Sequence, residues 1–136
     1  MQPKNPNKLF PLILTHELEQ TKRFYVERAG FRLVVDRPVY LQVAYGEEGG
    51  PELCFMKPDA FPDGQVRPAF DGKGVIVSIP TPNADEKYKA LAANKVTLLS
   101  KPADMPWGWR SFVAADPNGL CLDFFHVYKE VQPDAM

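Results

Sequence analysis

The sequence predicts an α+β chain built from two copies of one strand–helix–strand–strand–strand unit. Two observations carry this. The same order of apolar runs and helical spacing occurs twice along the 136 residues, and the spacing from Phe24 to Gly30 in the first copy equals that from Tyr88 to Asn94 in the second. A third is a stretch rich in Pro, Gly and Asp, "KPDAFPDGQVRPAFDGKG", that falls between the copies. One such unit leaves a sheet edge open and an apolar face uncovered, so a second unit is the natural cover. The units are expected at residues 8–57 and 74–128, joined by a linker at 58–73, within one domain.

Each element has a local reason. "KLFPLILT" is an apolar run of strand length. In "HELEQTKRFYVERAGF", Leu18, Phe24 and Tyr25 form the apolar stripe of a helix,. Thr15 or His16 stands at its start, and Gly30 suits a left-handed C-terminal cap. "FRLVVD", "VYLQVAY" and "ELCFM" read as strands, separated by the turn signals "DRP" and "GEEGG",. In the second unit "VIVSIP" is a strand and "NADEKYKALAANK" a helix, capped by Asn83 or Asp85, with Asn94 in the place of Gly30,. "VTLLS", "WRSFVAA" and "LCLDFF" complete it. "DPNG" between the last two is turn chemistry: Asp116 accepts a local bond, Pro117 presets φ, and Asn118 and Gly119 tolerate positive φ.

The bulk numbers exclude several classes. The chain is 45% hydrophobic with a formal charge of −1, so a real core is available and a polyanion-binding surface is not expected. The opening "MQPKNPN" lacks the apolar stretch of a secretory leader,, and no apolar run reaches membrane-spanning length. A soluble, cytoplasmic protein is expected, with no nucleic-acid or membrane partner. Cys54 and Cys121 fall in strand-like runs without close spacing and are read as reduced thiols,.

"THELEQTKRFYVERAGFRLV" and "WGWRSFVAADPNGLCLDFF" carry a family likeness. Leu18, Phe24, Tyr25, Gly30 and Phe31 match one segment; Gly108, Arg110, Phe112, Asp116, Pro117, Gly119 and Asp123 match the other. Together they resemble the vicinal oxygen chelate superfamily, which includes glyoxalase I, extradiol dioxygenases, fosfomycin-resistance enzymes and bleomycin-binding proteins. The likeness is strongest to the mitomycin- and bleomycin-resistance type. It implies paired βαβββ modules whose curved mixed sheets wrap a cavity, and a homodimer. Metal-dependent members hold their ion with two residues on the first strands, commonly His, and two on the last strands, commonly Glu. Counting along the segments puts these positions at or beside Phe10, near Gly74, at Glu52 or Cys54, and at Asp123. Phe10 and Gly74 cannot ligate through a side chain, so no metal cofactor is expected.

A carboxylate in the middle of a core-like strand is unfavourable unless it belongs to a site, so Asp123 is expected to face the cavity. Alternation puts Phe125 and Cys121 on its face. His16 and His126 are read as surface residues. Trp107 and Trp109, with Phe10, Tyr40, Phe61 and Phe70, are candidates for stacking on a ligand. Arg110 is a candidate for holding an anionic group or for pairing with Asp123 or Glu52. The linker is either a flap or a plain crossover. The resulting expectation is a metal-free cavity binding a small aromatic or amphipathic molecule. The alternatives are a metal-dependent lyase or dioxygenase of the glyoxalase I type, a metal-free enzyme using Asp123 or Glu52 as acid or base, and a module without a ligand.

Overall fold

The computed structural model describes residues 4–65 and 67–132. Residues 1–3 of the N-terminus and Val66 of the expected linker lie outside the described residues. The first module runs β1 (Leu12–Leu14), α1 (Leu18–Arg23) continuing as a π-helical segment (Phe24–Arg28), β2 (Arg32–Arg37), β3 (Tyr40–Ala44) and β4 (Glu52–Met56). The second runs β5 (Ile76–Pro80), α2 (Ala84–Ala93), β6 (Thr97–Leu98), β7 (Ala103–Asp104), β8 (Trp109–Ala115) and β9 (Cys121–Val127). The first sheet has the order β1-β4-β3-β2 and the second β5-β9-β8-β6, with β7 also paired to β8. In both, the first strand lies parallel to the last and the rest is antiparallel. The repeat read from the sequence is therefore a repeat of topology.

Two details differ from the expectation. The "VTLLS" strand shrinks to two residues, and the chain returns to β8 through β7, which the Pro-rich sequence had concealed. Asn94 does not take the role of Gly30. Gly30 has φ +83, but Asn94 has φ −90 and Lys95 takes the left-handed position at φ 60. The amide of Asn94 is used elsewhere: its Nδ2 donates to the Arg28 carbonyl at 2.9 Å, across the module boundary. The π-helical segment closes with Ala29 N–H donating to the Phe24 carbonyl at 2.9 Å. This wider turn turns successive side chains less far apart, so Phe24 and Tyr25 are both buried although adjacent in sequence,.

One core spans both modules. Ile13, Leu41, Val43, Leu53 and Phe55 of the first sheet join Ile79, Phe112, Ala114, Leu122 and Phe124 of the second, with the helices' Phe24, Tyr25 and Leu91. Tyr45 bridges Phe31 and Phe124, with ring centroids 4.9 and 5.7 Å away. Lys87 of α2 reaches across this boundary. Its Nζ donates to the Ala29 carbonyl at 2.5 Å and lies 4.6 Å from the Tyr45 ring centroid. Burial pushes its pKa down to about 8. Between there and the ordinary lysine value the unfolded chain binds more protons than the folded one, so this group makes stability rise with pH. Denaturant titrations from pH 8 to 10 should show that rise, and Lys87→Met should flatten it.

The second helix is held at its N-terminus by three side chains. Asn83 Oδ1 accepts from Glu86 N–H at 3.1 Å. His126 Nδ1 accepts from Ala84 N–H at 2.8 Å. Arg110 Nε and Nη2 donate to the two oxygens of Asp85 at 2.8 and 3.0 Å. His126 therefore has a structural task that its position at a strand end did not suggest. His126→Ala is expected to lower stability by about 1 kcal/mol, the usual worth of a helix cap, as read by thermal denaturation.

Candidate functional site

Strand alternation divides each sheet into a core face and an open face. On β9, Leu122 and Phe124 are buried in the core, so Cys121, Asp123, Phe125 and Val127 stand on the other side. The register brings Ser111 beside Phe125, Val113 beside Asp123 and Trp109 beside Val127 on β8. On the other flank it brings Ile76 beside Cys121 and Ser78 beside Asp123 on β5. This face is apolar, yet Ile76 is 65% and Val127 59% exposed. In the single chain it is an open surface.

Its two distinguishing features are an aromatic pair and a carboxylate. Trp109 and Phe125 stack with centroids 3.6 Å apart and planes 9° apart. Asp123 is half-buried on the same face, one residue pair along the strand from Phe125. Ser78 Oγ donates to its Oδ2 at 3.0 Å. Asp123 thus lies on the open side of the sheet, opposite the core, and no arginine or lysine pairs with it within 4 Å among the described residues.

Arg110 is not its partner. It shares the core-face parity of Phe112 and Ala114, and its guanidinium pairs with Asp85 and Asp104 at the start of α2. The expectation that Arg110 pairs with Asp123 or Glu52 fails for the reason alternation gives: Trp109 and Arg110 are neighbours, so both cannot share a face without a bulge, and β8 has none,. Trp107 is exposed in the turn before β8. Between the two tryptophans Gly108 has φ +90, and a Cβ there would overlap the Lys129 carbonyl oxygen. That explains the glycine in "WGW".

The corresponding face of the first sheet has a different chemistry. Glu52, Cys54, Gln42, Tyr40 and Leu12 share it by register, and half-buried Phe10 precedes it by two residues. Lys8 pairs with Glu52, Gln42 Nε2 donates to Glu52 Oε1, and Tyr40 OH donates to Gln42 Oε1 at 2.8 Å. Lys8 holds the Glu52 carboxyl below its ordinary value. Cys54 is fully buried beneath this layer, and burial pushes its thiol up. Phe70 packs on the core instead, and Phe61 lies in the linker under the Arg67 guanidinium, 5.2 Å away.

The register also shows which residues stand beside Cys54 and Asp123 on the first strands. Leu53 and Phe55 are the counterparts of Leu122 and Phe124, so Cys54 is the counterpart of Asp123. Their neighbours on the first strands are Leu12 and Ser78, not Phe10 and Gly74. Only Cys54 and Asp123 of these four are strong donors. A tightly held divalent ion wants three or four convergent ligands, and no group of three His, Cys, Asp or Glu comes together among the described residues. The residues of one chain do not fit a metal centre.

Hollows also lie elsewhere. One of about 270 Å³ runs along the seam between the sheets, lined by Pro11, Phe31, Glu52, Val77 and Ser78 among others. Another of about 490 Å³, polar and lined by Arg23, Glu27, Arg28 and Asp116 among others, lies where α1 meets the second module. Beside it is a buried network that sequence reading assigned to turn chemistry alone. Tyr25 OH donates to Asp116 Oδ2 at 2.8 Å, and Asp116 Oδ1 accepts from the N–H groups of Asn118 and Leu120, both at 2.8 Å. Asn118 links on to Thr15 and Thr21.

A model of the Glyoxalase/Bleomycin resistance protein/Dioxygenase superfamily matches residues 10–124. Among solved structures, a glyoxalase/bleomycin resistance protein/dioxygenase from Nocardioides aligns with a TM-score of 0.70 and 23% identity, over 97% of this chain and 90% of its own. A member of the superfamily from Sphaerobacter thermophilus aligns at 0.68 and 27%, over 86% and 94%. TnmS3, an antibiotic binding protein from Streptomyces sp. CB03234, aligns at 0.68 and 25%, over 93% and 98%. A search of curated proteins found no match.

Proposed function

The chain belongs to the glyoxalase/bleomycin resistance protein/dioxygenase superfamily, and within it we propose that it is a metal-free binding protein for a small planar or amphipathic molecule. The observation that carries this is the stacked Trp109–Phe125 pair on an exposed sheet face. Aromatic rings not consumed by the core offer large apolar contact at little entropic cost. The likeness to an antibiotic binding protein supports the same reading. So does the scarcity of convergent metal donors around Cys54 and Asp123.

The open faces call for a cover. Ile76, Val127 and Leu12 are exposed apolar residues on them, and contiguous exposed apolar surface marks association or ligand sites. A second copy of the chain is the proposed cover, making the protein a homodimer whose sites close on assembly. The proposed location is the cytoplasm. Sedimentation equilibrium should return twice the chain mass.

The decisive experiment combines two measurements. Protein purified without chelator or tag should contain far less than one metal per chain. Its tryptophan emission should be quenched saturably by planar drug-like compounds. Stoichiometric metal, lost in Asp123→Ala, would refute the metal-free reading.

A further inference from the structure

Resting on the aromatic face as the binding surface, we infer that the bound molecule carries a protonated amine, with Asp123 as its counter-ion beside the Trp109–Phe125 stack. Several carboxylates of the chain have a cationic partner, while others, Asp116 among them, are held by neutral donors alone. Glu52 has Lys8, Asp85 and Asp104 share Arg110, Asp63 has Arg67, and Asp36 has Lys22. Asp123 has one hydroxyl donor, Ser78, and no cationic side chain within 4 Å among the described residues. A carboxylate offers about four acceptor sites, so most of its capacity is unused. It is also half-buried between Cys121 and Phe125 and opposite Val113. Apolar neighbours raise the value of a cation that arrives with its own donors.

The surroundings select the sign of that charge. Arg110, on the neighbouring strand β8, is turned to the other face and held by two carboxylates. The ring faces of Trp109 and Phe125 are electron-rich and attract cations. Ser78 can accept as well as donate. An ammonium one to two residue spacings from an aromatic plane would satisfy Asp123 while its ring lies on the stack, since alternate residues on a strand are about 7 Å apart. An anionic group at the same place would meet repulsion from Asp123 without any compensating donor. The first sheet makes no such demand, because Lys8 already neutralises Glu52.

The test is a matched series at pH 7, read by calorimetry: 1-(aminomethyl)naphthalene, 1-naphthylmethanol and 1-naphthoate. The amine should bind about tenfold or more tightly than the alcohol, as expected for a hydrogen bond to a charged group, and the acid should bind weakest. In Asp123→Asn the amine-to-alcohol ratio should fall to near one. Asp123→Ser, smaller and uncharged, should do the same, and the melting temperature of each variant establishes that it is folded. Equal binding of amine and alcohol to the unmodified protein would overturn the counter-ion assignment and leave the aromatic face standing. So would a preference that survives both substitutions. Failure of all three compounds to bind would overturn the aromatic face itself, and the counter-ion with it.

Discussion

Asp116→Ala is expected to destabilise the fold by about 3–5 kcal/mol, the range for breaking a buried hydrogen-bonded network. The substitution removes the acceptor of Tyr25 OH and of two backbone N–H groups. Tyr25 is fully buried, so its hydroxyl would be left without water. The bond it makes joins α1's π-helical extension to the β8–β9 turn, 91 residues away in sequence, so the loss would loosen the two modules from each other. Burial raises the Asp116 carboxyl above its ordinary value, despite Tyr25 and the two amides that donate to it. Between the unfolded and the folded pKa the native state binds more protons, so this one group makes stability fall as pH rises through that window. The charge is therefore a burden and the donors are what hold it. Asp116→Asn separates the two: it keeps the Oδ1 acceptor and loses the charge, and should cost only about 1–2 kcal/mol. Tyr25→Phe should cost a similar amount, and a double-mutant cycle with Asp116→Ala should show strong coupling. Urea denaturation followed by circular dichroism measures all of these. A loss below about 1 kcal/mol for Asp116→Ala would mean that the modules are held by their shared core alone.

That network shows where sequence reading reached and where it stopped. The topology was legible because the two copies support each other: alternation, helical spacing and turn residues agree in both. Asp116 was legible as a turn residue, since its bonds to Asn118 and Leu120 are local. Its bond to Tyr25 was not, because it depends on how two modules pack, and nothing in a single chain's periodicity reports that. The same limit explains Arg110 and His126. Each lies on a strand end whose face is set by alternation, but their partners at the start of α2 come from tertiary packing. Asp123 stood out for the opposite reason: a carboxylate in a core-like strand breaks the local rule, and alternation turns it away from the core. That Leu12 stands beside Cys54 and Ser78 beside Asp123 was not legible, because the offset between first and last strands is fixed by parallel pairing across the sheet, and sequence counting has no handle on it.

Trp109→Ala should weaken binding of planar ligands by about 30-fold, near 2 kcal/mol, the scale of an aromatic anchor in an interface. Its effect on stability should be small, within about 1.5 kcal/mol, because the stack with Phe125 adds only that much beyond area burial. The contrast follows from where the ring lies. Trp109 is half-buried at the start of β8, outside the shared core, and its contact is one parallel ring. With centroids 3.6 Å and planes 9° apart the two rings lie face to face, each covering one face of the other and leaving its second face for a ligand. Removing Trp109 leaves one ring of the stack, while Phe112 and Phe124 on the core side keep the sheet in place. Trp109→Phe should retain most of the affinity, since it keeps a plane where alanine leaves none. The measurement is clean because the chain has only two tryptophans. In Trp107→Phe all tryptophan emission comes from Trp109, and saturable quenching there would locate the ligand at the stack. If quenching persists in Trp109→Ala and disappears in Trp107→Phe, the ligand sits at the exposed turn before β8, and the sheet face is a surface for the second copy alone.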